Sequence, residues 1–150
     1  MRALHGFNSR RPVCVDVLIM KIKIEKGKPI TFFVRIRGPR GVRELRAILD
    51  TGSSVCTIPV TDAREIGYEA FYDPIVDKGD GIYTITQTGI LDLGPLTLQE
   101  VGVAELSAKD VTAVVSNLPR AGGVDVILGL SFLQNFKTTI DFDQGYLKLE

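Results

Sequence analysis

Strict alternation of apolar and polar residues marks the first third of the chain. Met20-Lys21-Ile22-Lys23-Ile24 and Val34-Arg35-Ile36-Arg37 each send every second side chain to one face. That is the period of a strand with one wet and one buried side. Two strands are expected here, Val13 to Glu25 and Ile30 to Arg37, with a turn at Lys26-Gly27-Lys28-Pro29. After a second turn, Gly38-Pro39-Arg40-Gly41, the apolar stretch from Val42 to Leu49 predicts a third strand, and Val55-Cys56-Thr57-Ile58-Pro59 a fourth. Thr61 to Ile66 has helical character, with Thr61 or Asp62 as its cap and Gly67 as its end. Tyr72 to Val76 and Ile82 to Gln87 read as hairpin arms around Asp77-Lys78-Gly79-Asp80-Gly81. Further strands are expected at Ile90 to Leu93, Leu96 to Leu106, Val111 to Val115 and Val124 to Leu128. Ser131 to Phe136 is a short helical pattern, and Thr138 to Leu149 a closing hairpin. So many short strands between frequent turns indicate an all-β barrel or sandwich with one or two short helices.

One loop in this pattern carries chemistry. The strand Ala47-Ile48-Leu49 delivers Asp50 into Asp50-Thr51-Gly52-Ser53, where glycine lets the backbone close on the carboxylate. A carboxylate beside apolar residues costs free energy unless partners satisfy it, and such placement suits acid–base work. Asp-Thr-Gly is also ordinary Asx-turn chemistry, found by chance in roughly a few per cent of chains this long. Its context adds weight. Strand, loop and short helix recur further on, where Val124-Asp125-Val126-Ile127-Leu128-Gly129 leads into Ser131 to Phe136. In this weak repeat, Gly129 stands where the first copy has its Asp-Thr-Gly loop.

The Asp50 loop, Ile127-Leu128-Gly129 and the closing segment from Thr138 to Leu149, in that order and spacing, resemble the retropepsin-like aspartic proteases. The resemblance spans roughly residues 30 to 150. It implies a retropepsin-like acid-protease barrel and an aspartic endopeptidase acting on extended peptides. One Asp50 loop per chain implies a homodimer, with Asp50 supplied by each subunit. Two facing carboxylates cannot both ionise, so they share a proton, an established property of aspartic-protease dyads. Thr51 would bond across the two-fold axis. The Gly52 amide would point at the carboxylate. The Ser53 hydroxyl would donate to the carboxylate and lower its pKa. Lys78, Gly79, Asp80 and Gly81 match a flap by position, with Tyr83 near the substrate, and an ordinary exposed hairpin fits the same residues. Ile127, Leu128 and Gly129 would pack beneath the loop. Thr138 to Leu149 would supply dimer strands or form an edge hairpin within one subunit.

Composition narrows the alternatives. With 150 residues, 45% hydrophobic and 24% charged, the chain suits a single globular domain at 13–150 behind a basic tail at 1–12. No apolar run approaches the roughly 20 residues of a membrane span, and the start lacks a secretory apolar core, so a cytoplasmic protein is expected. The two cysteines, Cys14 and Cys56, read as reduced and buried. With one histidine besides, no metal or other cofactor is expected. Residues 1–46 hold 12 basic and 3 acidic side chains, net +9, and the remainder carries −9. That asymmetry could bind nucleic acid, but alternating strands with wet faces explain it without such a partner. The competing function is a dimerisation or peptide-binding module of the same fold without catalysis. Two carboxylates facing each other at a dimer axis would burden such a module for no gain.

Overall fold

The structure, a computed structural model, describes residues 17–68, 84–86, 89–91, 95–116 and 122–150. The expected tail at 1–12, Cys14 and the hairpin around Asp77 to Gly81 lie outside these residues.

Six strands close into a barrel. They are β2 (Thr31–Gly38), β3 (Gly41–Leu49), β4 (Cys56–Pro59), β7 (Pro95–Val103), β8 (Leu106–Ser116) and β9 (Val126–Leu128). Their order around the barrel is β2-β3-β9-β4-β8-β7. A second sheet has the order β1-β11-β10, from β1 (Met20–Lys23), β10 (Thr138–Asp141) and β11 (Tyr146–Leu149). The short strands β5 (Thr84–Thr86) and β6 (Gly89–Leu91) pair with each other. Among the described residues there are two short helices, α1 (Val60–Glu65) and α2 (Leu130–Leu133). This is the expected all-β barrel with two short helices. No helix among the described residues is long and apolar enough to cross a membrane.

The alternating segments do what their period demands. In β2, Val34 and Ile36 are buried while Arg35 and Arg37 are exposed. In β3, Leu45 and Ala47 face inward. The interior is filled by Ile36, Ile58, Leu98, Val101, Leu128 and Phe132, each essentially inaccessible. Leu147 and Leu149 of β11 extend the same core, so the closing hairpin packs as part of the subunit. Its two arms pair within the chain, Thr138 opposite Leu149 and Asp141 opposite Tyr146. β1 flanks β11 on the other side.

Several boundaries differ from those expected. Among the described residues the first strand covers Met20–Lys23, and Val17, Leu18 and Ile19 ahead of it are exposed. The run from Leu96 to Leu106 is two strands, split by a tight turn at Ala104-Glu105. Ala104 has φ 51, a left-handed conformation that L-residues adopt at a cost. No glycine or proline signals that turn. A tertiary contact holds it, since the Arg35 guanidinium donates to the Ala104 carbonyl. The strand expected at Val111 to Val115 starts earlier, at Leu106, because β8 zips against β7 from the turn onward.

Helix α1 lies where the sequence places it but is not capped as expected. Its N-cap is Pro59, with no side-chain cap hydrogen bond. Asp62 is fully buried and accepts from Arg43 Nη2 at 2.9 Å and Nε at 3.2 Å. The third nitrogen of the same guanidinium, Nη1, sits 2.8 Å from Glu65. The hydrogen bond to Asp62 is the largest influence on Arg43 and holds its pKa above the usual value. Gly67, at φ +100, ends the helix as anticipated.

Candidate active site

The two halves of the weak repeat meet at the Asp50 loop. Strands β3 and β9 run parallel, with Ala47 opposite Val126, Ile48 opposite Ile127 and Leu49 opposite Leu128. The pairing continues into the loop, where Asp50 N–H donates to the Leu128 carbonyl at 3.0 Å. Beyond it the chain segments swap roles. Leu130 N–H donates to the Ser53 carbonyl at 2.8 Å, and Ser131 N–H to the Ser54 carbonyl at 3.0 Å. The loop is thereby fastened to the end of β9 and the start of α2 by three backbone hydrogen bonds.

Gly129 makes that docking possible. A Cβ there would lie 2.6 Å from the Ser53 carbonyl oxygen and nearer still to that of Val55. No other residue fits such close backbone approach. Leu128 is fully buried beneath the loop and Ile127 is half-buried. Leu128 and Gly129 touch the loop, and Ile127 pairs with Ile48 and Thr57 of the strands on either side.

Within the loop, Gly52 N–H donates to Asp50 Oδ1 at 2.9 Å. Among the described residues this amide is the one hydrogen-bond partner of the carboxylate, and Asp50, Thr51 and Gly52 are exposed. The Ser53 hydroxyl behaves otherwise than expected. It donates to the Val55 carbonyl at 2.8 Å. A hydroxyl has one proton to give, so this one braces the loop and is not spent on Asp50. Lys78, Gly79, Asp80, Gly81 and Tyr83 lie outside the described residues.

Ser131 is a support that the sequence reading missed. It is buried in α2, donates to the Thr112 carbonyl at 2.7 Å and accepts the Cys56 amide at 3.1 Å. It ties β4 to β8 directly behind the loop. A lone serine inside an apolar helical pattern was the available sign, since a buried hydroxyl must find partners. Cys56 is a free, buried thiol. Burial is the largest influence on it and pushes its pKa up, which removes it as a nucleophile beside the loop.

A cleft of about 880 Å³ runs along β3 and β9, the strands that lead to the loop. Ile48 and Ile127 line it, as do Arg46 and Asp125, and Asp50 stands at the end of the strand that forms one wall. Arg46 and Asp125 were not singled out from the sequence. Each lies four residues before its loop marker, Asp50 or Gly129, so the repeat itself would have placed them side by side.

The comparisons with known proteins agree with this fold. Residues 40–135 match the family described as "gag-polyprotein putative aspartyl protease". The fold is similar to a retropepsin-like aspartic protease from Rickettsia conorii, with TM-score 0.60 and 22% identity over 87% of this chain and 89% of that one. It is also similar to the EIAV protease in complex with the inhibitor HBY-793, with TM-score 0.52 and 20% identity over 76% of this chain and 93% of that one. No curated protein matches the chain by sequence.

Proposed function

The chain belongs to the gag-polyprotein aspartyl protease family, and from that premise we propose that it is an aspartic endopeptidase that works as a homodimer. The observation that carries the proposal is the Asp50 carboxylate, exposed at the end of β3 on a loop clamped by backbone hydrogen bonds to Leu128, Leu130 and Ser131. A rigidly held, solvent-facing carboxylate with one amide donor suits a group that must meet a second carboxylate and a water.

In the proposed dimer, Asp50 of each subunit approaches the two-fold axis and the pair holds one proton. The ionised member takes a proton from water. The resulting hydroxide attacks the scissile carbonyl carbon while the protonated member gives its proton to the carbonyl oxygen. The tetrahedral intermediate then collapses, its C–N bond breaks, and the amine leaves with a proton from the dyad. In this reading Thr51, exposed beside Asp50, bonds across the axis. The Gly52 amide orients the carboxylate. The substrate is an extended peptide or protein segment.

Incubation of an unstructured protein with the full chain between roughly pH 4 and 7 tests this, with cleavage followed by mass spectrometry. Cleavage should fall at least about a hundred-fold in Asp50→Asn while the dimer persists in sedimentation. Cleavage that survives Asp50→Asn would refute the proposal. Binding of peptides without cleavage would favour the non-catalytic module instead.

A further inference from the structure

Along one face of β3, alternate residues run Arg46, Ile48, Asp50, while Leu45 and Ala47 point into the core. The paired strand β9 and the residue before it present Asp125 and Ile127 in register beside them. Ile48 is opposite Ile127, and Asp125 N–H donates to the Arg46 carbonyl at 2.8 Å. Counting back from Asp50, the face shows first an apolar pair and then a charged pair. Each step is about 7 Å, the repeat of same-side residues on a strand. An extended peptide has the same repeat, so its alternate side chains would fall on the apolar pair and then on the charged one.

The charged end of the cleft has an excess of cations. Lys23, Lys28 and Arg46 line it against Glu25 and Asp125. Lys28 is paired with Glu25. Asp125 already accepts the Arg46 backbone N–H through Oδ2 at 3.2 Å. Lys23 is exposed and makes no ion pair among the described residues. The Arg46 guanidinium is held by one nitrogen, which donates to Thr31 Oγ1 at 3.0 Å, and this orients it at the cleft wall.

We propose that this cleft selects substrates with an apolar side chain next to the cleaved bond and an acidic side chain two residues further from it, received by Lys23 and Arg46. The inference rests on the proteolytic reading above. A basic side chain at the outer position would meet like charge, and a neutral one would leave the cations to water. The two-fold symmetry of the proposed dimer repeats the preference on both sides of the cleaved bond.

The test is digestion of a peptide library randomised on both sides of a cleavable bond, with Asp50→Asn as the control. Sites cut by the wild type should be enriched about three-fold in Asp or Glu two residues from the apolar flank, the size expected of an exposed charge pair. The enrichment should fall in Lys23→Gln, a change at an exposed strand position, or in Arg46→Gln. Asp50-dependent cleavage without acidic enrichment, or with enrichment unchanged in both variants, overturns this inference and leaves the proteolytic reading standing. Absence of Asp50-dependent cleavage overturns both.

Discussion

Ser53 shows how a single hydroxyl changes role once its neighbours are placed. From the sequence it was a donor to Asp50, so removing it should have raised the pH of optimal activity. Its proton goes to the Val55 carbonyl at 2.8 Å instead. Ser53→Ala should therefore cost about 1 kcal/mol of stability, the usual net value of one hydrogen bond, and leave the pH profile where it is. Chemical denaturation and activity measured across pH check the two halves of that statement. Asp50 and Gly52 were legible from the tripeptide because an amide two residues on from an Asp is the local partner its carboxylate can reach. Ser131, Arg46 and Asp125 were not. Their partners lie far away in sequence, as with Ser131 and Thr112 or Arg46 and Asp125.

At the scale of elements, the loop and α2 form one backbone-bonded unit, and Gly129 is where they touch. Gly129→Ala should destabilise the protein by about 2 kcal/mol or more, since the new methyl meets backbone carbonyls that cannot yield. It should also displace the Asp50 loop, so activity falls even in protein that remains folded, as activity per folded chain would reveal. Helix α1 depends on a different device. Arg43→Met would leave the buried Asp62 without its guanidinium. Breaking a buried pair is costly, but Arg43 is 39% exposed, and the loss should be nearer 2 kcal/mol than the larger values of fully buried pairs. Thermal unfolding would read it. Most elements were visible in the sequence because alternation and turn residues are local signals. The turn at Ala104-Glu105 was invisible because Arg35 from β2 supports it.

For the molecule as a whole, some of the opposed charges of the two sequence regions meet within one chain. Arg37 meets Glu100, Arg43 meets Asp62 and Glu65, and Lys26 meets Asp143. The same scale decides activity. One chain presents one Asp50, so cleavage per chain should rise with protein concentration and then level off as dimers saturate. Sedimentation over the same range should show the midpoint of assembly where activity is half-maximal. Full activity from a chain that stays monomeric would contradict the shared site.

The order of strands, the acidic loop between two of them and the later glycine repeat were settled by sequence alone, because each is written in neighbouring residues. Tertiary structure decided which strands lie side by side and what lines the cleft beside Asp50. Those depend on groups dozens of residues apart, brought together only when β3 and β9 align in parallel. Local patterns reveal what each segment can become, whereas closure of the barrel determines which segments meet.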